Sequence, residues 1–391
     1  MAKRRIGILT GGGDVQPLNV VIYAAQQACK NVGIELIGFH KGWQGVLESS
    51  YLPLTRKSLD PTIGGTILRS SRVNLATVPE SAGMVLKNLE RLGVSGLIVV
   101  GGEDTLSNAF YLKDFPQVLI SKTVDNDVGM IQQRGSGIQF SDIINYFTLG
   151  YPTAGLKISS LVSLNEGLRT TAYSHERIVV VESMGMHAGW LALSSCMGHP
   201  DFIVLPEFPL RYEHLLDRVI ERYRSQKHLI IVVAEGSLWN DGQHLSADES
   251  ETDSFGHPRF KGAADVLARK LKHDLEAHFE TRNINSVNPS YLYRSGQPCS
   301  LDTVCAKKLG TKAVSLLARR SILPTFLTLK KDRKGFSVSE YPLAKLNSIH
   351  DFHRFVDERF YSPETYTATR EAKKYLSQII PEFKKKKYEL N

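Results

Sequence analysis

The segment Ser121-Lys122-Thr123-Val124-Asp125-Asn126-Asp127 places two carboxylates at i and i+2 just behind a lysine and a threonine, directly after an apolar run. One acid can orient and deprotonate a hydroxyl while the other organises a metal or its neighbour, and Lys122 can neutralise a transferring phosphoryl group. Taken alone, the segment reads equally as a cluster of turn residues. Two glycine-rich turns upstream weigh against that reading. Gly11-Gly12-Gly13-Asp14 follows one apolar run and precedes a helical one. Glycine there lets the backbone approach an anion, which helix-terminal amides can hold. Gly101-Gly102-Glu103-Asp104-Thr105 repeats the arrangement with two acids added. Glu103 and Asp104 suit Mg2+ held with phosphate oxygens, or simply a helix start with favourable negative charge. Neither turn spells G-x-G-x-x-G or G-x-x-x-x-G-K-[ST], so the dinucleotide and P-loop readings fall away. Three such turns together supply anion cradles, metal acids and a base, the division of labour that phosphoryl transfer requires.

The second half offers Glu182 to Gly189, Pro206-Glu207, Ala234-Glu235-Gly236 and Tyr291-Leu292-Tyr293-Arg294. Glu235 ends an apolar run and can accept sugar hydroxyls; Arg294 can meet a substrate phosphate. His187 precedes an apolar helix, which favours a capping or packing role over that of a base. Met184 and Met186 suit a pocket wall or the core better than redox chemistry.

Positioning these turns requires a sheet. Short apolar runs alternate with helix-like segments, which predicts parallel α/β architecture. Strands are expected at 4–9, 34–39, 96–100, 118–120, 177–181, 201–205 and 228–234. Helices are expected at 18–30, 81–92, 188–196, 212–224 and 262–279, with a polar excursion over 240–258. A chain of 391 residues is long enough for two or three compact units.

The net charge of +8 gathers largely in clusters such as Lys373-Lys374 and Lys384 to Lys387. Without interleaved aromatic residues these clusters predict a solvated tail rather than a nucleic-acid surface. Four scattered cysteines, Cys29, Cys196, Cys299 and Cys305, show no C-x-x-C spacing. They argue for a reducing, cytoplasmic setting and against a zinc site or disulfide scaffold. No apolar stretch is long enough to span a membrane.

The order of these motifs resembles the phosphofructokinase superfamily over roughly residues 4–320. Gly12-Gly13-Asp14 with Asn19 is similar to its first phosphate-binding loop, and Gly65-Thr66 with Arg69-Ser70-Ser71-Arg72 to the next. Gly101 to Thr105 corresponds to G-G-D-x-[ST], Lys122 to Asp127 to K-T-I-D-N-D, and Met184-Gly185 to M-G-R. Pro206-Glu207 and Glu235-Gly236 fall in register, and Tyr291 with Arg294 is similar to P-S-Y-x-x-R. The resemblance implies two α/β lobes, parallel-rich sheets flanked by helices, with the reaction centre in the cleft between them. Residues 1–149 plus 295–391 would form the donor and catalytic lobe, and 150–294 the sugar-phosphate-binding lobe.

By that resemblance Asp125 is the base and Asp127 its assistant. Thr123 holds the acceptor or transferring group, and Glu103 organises Mg2+. Gly12, Gly13, Arg69, Arg72, Gly102, Asp104 and Thr105 surround the donor. Met184, Gly185, Glu235, Tyr291 and Arg294 line the sugar phosphate, while Arg177 matches an arginine lent across a subunit interface of a homodimer or homotetramer. The implied reaction phosphorylates the 1-hydroxyl of fructose 6-phosphate. Asp104, Lys122 and Arg69 point to pyrophosphate as the donor rather than ATP. Alternatives are an ATP-dependent enzyme, another sugar phosphate or polyol as acceptor, and a weakly active regulatory homologue. Four departures from the family pattern are Val15-Gln16-Pro17 in the first loop, Met186 in place of arginine, Asn285 near a phosphate-binding arginine, and the altered 138–142 segment.

Overall fold

The computed structural model describes residues 4–129, 143–252, 258–260, 262–279, 283–319 and 322–384. The altered 138–142 segment, Lys385 to Lys387 and part of the polar excursion lie outside the described residues. The chain divides into two compact units: Met1–Tyr151 with Arg294–Arg354, and Pro152–Tyr293 with Phe355–Asn391.

The first unit is built on a sheet ordered Gly335–Pro342, Thr325–Asp332, Gln117–Thr123, Val94–Gly101, Arg5–Thr10, Glu35–Phe39, Tyr51–Pro53, with Leu149–Gly150 pairing beside Gln117–Thr123. Its central strands run parallel and its two outermost strands antiparallel. Ile6, Ile8, Leu97 to Val100 and Val118 to Ile120 are completely buried, which is why these strands read as unbroken apolar runs rather than alternating ones. From Arg5–Thr10 the chain crosses through the helix Leu18–Asn31 to Glu35–Phe39 on one side, while Val94–Gly101 lies on the other. That reversal makes a topological switch point, where open α/β sheets leave a crevice beyond the strand ends.

The second unit has a parallel sheet in the order Ile284–Val287, Ile178–Ser183, Leu229–Ala234, Phe202–Val204. The amphipathic helices Tyr212–Gln226 and Ala263–Leu275 bury Leu215, Val219, Leu267 and Leu271 against it. No helix among the described residues is long and apolar enough to cross a membrane, and all four cysteines are free thiols.

One expectation about the division is corrected. Residues 355–384 pack with the second unit rather than following 295–354 into the first. Their aromatic side chains explain this: Phe360 and Tyr375 lie edge-on or tilted against Trp190 at 5.0 and 5.6 Å. The Tyr361 hydroxyl donates to the Ile203 carbonyl at 2.6 Å. Glu207 fixes the entry of this segment, its Oε1 accepting from the Val356 amide at 2.8 Å and the Gly189 amide at 2.9 Å. Strands Tyr51–Pro53 and Ile284–Val287, the Thr325–Asp332/Gly335–Pro342 hairpin and the helix Ser300–Leu317 were not predicted.

In the first unit Ser300–Leu317 packs on Leu18–Asn31 with close backbone approach at Gly310. A Cβ there would lie 2.6 Å from the Val21 carbonyl oxygen and 3.0 Å from Ala24 Cβ. Alanine ordinarily favours a helix over glycine by about 1 kcal/mol, but two packed helices cannot absorb that overlap. Gly310→Ala is therefore expected to destabilise the chain by about 1–3 kcal/mol, read as a lower urea midpoint. A raised midpoint would contradict the close packing.

Candidate functional site

Arg5–Thr10, Val94–Gly101 and Gln117–Thr123 are neighbouring parallel strands, so their C-terminal ends bring the three chemically suggestive turns to one edge of the sheet. Thr10 pairs with Val100 and Gly101 with Ser121, and the Gly11 amide donates to the Val100 carbonyl at 3.0 Å. Thr105 is buried beneath the glycines: a Cβ on Gly11 would come within 2.5 Å of its hydroxyl, and one on Gly101 within 2.3 Å of its Cβ. Gly12 has φ +75°, a conformation most residues avoid, and a Cβ on it would meet the Lys122 ammonium at 3.1 Å. A Cβ on Gly13 would strike the Arg294 guanidinium at 2.7 Å.

The first glycine turn thus lies between two cations. Lys122 is only 2% exposed, and its Nζ donates to the Gly13 carbonyl. Arg294 donates to the Asp14 carbonyl at 3.4 Å. Ser70 donates to the Gly12 carbonyl, while the Gly12 amide donates to Ser71 O at 3.4 Å. Arg69 and Arg72 flank those serines with exposed side chains, and Arg69 adopts φ +61°. Asn19 fastens this segment, donating to Ile63 O at 2.9 Å and accepting from the Ile67 amide at 2.8 Å. Pro17 in place of glycine sits just ahead of the helix Leu18–Asn31, where no intrahelical amide bond is lost. Arg294 stands beside Gly13, directly after the boundary between the two units.

The acidic turn is held from below. Thr123 Oγ1 accepts from the Asp125 amide at 3.1 Å, and the Thr148 hydroxyl donates to Thr123 O at 2.7 Å. Asn126 has φ +55°, and its Oδ1 accepts from the Thr148 amide at 3.1 Å. Arg354, 3% exposed, donates to the same Oδ1 at 2.6 Å, to Asn126 O at 3.0 Å and to Asn145 O at 2.9 Å. Its own amide donates to Asp127 O at 2.7 Å, and the Gly129 amide donates to Phe352 O at 2.6 Å. The segment around 352–354 is thereby stitched along 126–129.

The same segment brings two histidines to Glu103. His350 Nδ1 lies 3.0 Å from Glu103 Oε1, and His353 Nε2 lies 3.1 Å from Oε2. Glu103 and Asp104 open the short helix Glu103–Ser107. Burial raises the Asp127 carboxyl above the usual range; nearby Glu103 adds to the rise, while the backbone amide, His353 and Thr123 oppose it. His353 is raised by its hydrogen bond to Glu103. Sequence reasoning missed His350, His353 and Arg354. The only signal for them was His350-Asp-Phe-His353-Arg354, far from every recognised motif.

In the second unit, the Gly185 amide donates to Glu235 Oε1 at 3.1 Å and the Glu235 amide to Ser183 O at 2.9 Å, which brings Met184, Gly185 and Glu235 together. A Cβ on Gly236 would overlap the Met186 carbonyl at 1.9 Å. Arg177 stands at the opposite end of Ile178–Ser183, bound to Thr171 Oγ1 at 2.7 Å, so it does not join that group within the unit. Tyr291 is 74% exposed; its neighbour Tyr293 is the buried one, donating to Glu182 O at 2.8 Å. Glu182 accepts from the Ala264 amide at the start of Ala263–Leu275, which suits a structural role. His187 is exposed, and Asn285 lies on the strand Ile284–Val287.

Burial, with Arg294 adding to it, lowers the Lys122 ammonium from its ordinary 10.5 to about 7, while Asp14, Asp104 and Asp127 pull it back up. Between those two values the unfolded chain carries a proton that the folded chain has released. Stability from this group therefore rises with pH across the window, by up to about 1.4 kcal/mol per pH unit. Lys122→Met is expected to flatten the rise in urea midpoint between about pH 7 and 9. Equal slopes in the two proteins would contradict the burial of this ammonium.

A family model described as Phosphofructokinase matches residues 5–317. Pyrophosphate–fructose 6-phosphate 1-phosphotransferase of Dictyoglomus thermophilum is 36% identical over 323 residues, covering 81% of this chain and 87% of that protein. ATP-dependent 6-phosphofructokinase 3 of Streptomyces coelicolor is also 36% identical, over 321 residues covering 81% of this chain and 88% of its own length. The solved structure of pyrophosphate-dependent phosphofructokinase from Nitrosospira multiformis superposes with a TM-score of 0.78 over 100% of this chain and 95% of that one. That pair is 17% identical, so the likeness bears on fold. With the glycine turns, the acidic turn and the two α/β units all in place, the chain belongs to the phosphofructokinase family.

Proposed function

We propose that this enzyme transfers a phosphoryl group from pyrophosphate to the 1-hydroxyl of fructose 6-phosphate, releasing phosphate and fructose 1,6-bisphosphate. The observation that carries the donor reading is Lys122: a buried ammonium against the Gly13 carbonyl, in the field of Asp104. A compact, highly charged donor gains from a desolvated cation next to glycine amides. Asp104 adds a carboxylate in the first turn of Glu103–Ser107, where the longer phosphate chain of ATP would meet charge and bulk. Arg69 and Arg72 complete the donor side, with Gly12, Gly13, Gly102 and Thr105 shaping the cradle. Relatives named for either donor are equally similar, so the choice rests on these residues.

In the reaction, Asp125 accepts the proton of the attacking hydroxyl as its oxygen bonds to phosphorus, and the bridging P–O bond of pyrophosphate breaks. Asp127 assists Asp125, and Thr123 steadies the transferring group. Lys122 offsets the charge gathering on the phosphoryl oxygens. Met184, Gly185, Glu235, Tyr291 and Arg294 receive the sugar phosphate, with Arg177 supplied by a second copy in a homodimer or homotetramer. A cytoplasmic setting fits these substrates. Mg2+ would arrive with pyrophosphate. The site at Glu103 suits it poorly, because both carboxylate oxygens face imidazole nitrogens whereas Mg2+ prefers oxygen donors and retained water. No step here is routed through it. Met186, a neutral thioether at the M-G-R arginine position, favours a second reading in which the acceptor is a different phosphorylated sugar or a polyol.

Asp125→Asn keeps the side chain's shape and removes the base; kcat is expected to fall by about 100-fold or more with a smaller change in KM. Undiminished turnover would remove Asp125 from the role. With fructose 6-phosphate, sedoheptulose 7-phosphate and inositol each offered alongside pyrophosphate or ATP, kcat/KM is expected to be at least about tenfold higher for pyrophosphate with fructose 6-phosphate. Asp104→Gly is expected to shift that ratio toward ATP. A tenfold preference for ATP in the unaltered enzyme would overturn the donor assignment.

A further inference from the structure

The family match ends at residue 317, yet the carboxylate of Glu103 meets two imidazoles that lie beyond it. His350 belongs to the single 3-10 turn Ile349–Phe352, and His353 follows it directly. A 3-10 turn repeats every three residues, so side chains at i and i+3 project from one face. Glu103, His350 and His353 each offer one ligand atom, and these atoms all lie within 4.8 Å of one another.

The supporting structure fixes the turn that carries both histidines. Ser348 and Asp351 form a reciprocal cap at the start of the turn. Ile349 and Phe352 are completely buried, with Phe352 tilted against Phe326 at 4.8 Å and Tyr341 at 5.3 Å. His353 bridges Val128 through the backbone, and the Arg354 amide reaches Asp127 O at 2.7 Å. Glu103 is fixed by its place at the end of Val94–Gly101 and the start of the next helix. Two rigid elements, remote in sequence, thus present two nitrogens and a carboxylate to one point. Side-chain exposures of 68% for His350, 28% for Glu103 and 17% for His353 leave an open approach.

We infer that Glu103, His350 and His353 form a binding site for a divalent first-row transition metal ion, of the manganese-to-zinc class, in preference to Mg2+. Neutral imidazole suits borderline transition ions, whereas Mg2+ is held through carboxylates, phosphates and water. Three protein ligands leave coordination positions for water or an anion. The site adjoins Gly102 and Asp104, so an anion on the ion would share the second glycine turn. The inference depends on neither donor nor acceptor.

Direct metal binding tests it. Full-length protein stripped with chelator is dialysed against Zn2+ or Mn2+ alone, then against either ion with a large excess of Mg2+, and bound metal is counted. About one Zn2+ per chain should be retained against Mg2+, and His350→Ala should weaken Zn2+ binding by about 10–100-fold, the double change with His353→Ala by more. His350 is exposed, so its replacement leaves the fold intact. The unaltered protein gives a second, variant-free readout: pulsed electron paramagnetic resonance of bound Mn2+ should show coupling to imidazole nitrogen. Unchanged Zn2+ affinity in His350→Ala, absent nitrogen coupling, or displacement by equimolar Mg2+ would each overturn the inference.

Discussion

The acidic turn depends on one buried guanidinium. Arg354 is 3% exposed and donates to the Asn126 side chain and to the carbonyls of Asn126, Asn145 and Tyr146. Without that fork, these acceptors would be buried with fewer partners, at a cost of about 1–3 kcal/mol for each one left unsatisfied. Asn126 at φ +55° also needs over-determined surroundings, because the left-handed region is strained for a side chain with a Cβ. Arginine supplies what lysine could not: several donors in a fixed plane, matched to several acceptors at once. The acidic turn thus leans on a residue beyond the 5–317 span that the family model matches.

A balance of charge is built around that turn. Lys122 and Arg294 approach the first glycine loop from two sides, while Asp14, Asp104 and Asp127 lie within the field of Lys122. Burial lowers the lysine and raises the Asp127 carboxyl, so the two groups lose charge in opposite senses as water is excluded. Phosphate oxygens entering such a site would restore the full charge of the lysine, which couples anion binding to protonation. Glu103 acts on Asp127 through its charge and faces two histidines. The site therefore combines features common to the family with a histidine pair brought by the later segment.

Much of the fold was legible because the central strands are buried on both faces. Val94–Gly101 and Gln117–Thr123 appear in sequence as apolar runs with glycine or a charged turn at the end, and the turns point where the chemistry lies. Less legible was Ile284–Val287, only partly buried and lacking a strong apolar signature. Gly335–Pro342 lies on an outer edge with Phe336 as its one buried residue, a weaker signal still. The destination of 355–384 was misread, since nothing local says which sheet Phe360 and Tyr361 will cover. Arg354, His350 and His353 escaped for the same reason: their partners are more than two hundred residues away, and a side chain's long-range hydrogen bonds leave no periodic trace.

The central claim, that Arg354 holds the acidic turn in place, is tested most directly by amide hydrogen exchange in Arg354→Met. Methionine fills similar length without the donors. The amides of Gly129 and Thr148, bound to Phe352 O and Asn126 Oδ1, report on the turn; those of 97–100 report on the sheet. The account predicts that Gly129 and Thr148 lose protection by about tenfold or more while 97–100 keep theirs, a local opening within a folded unit. Unchanged protection at Gly129 and Thr148 would contradict it.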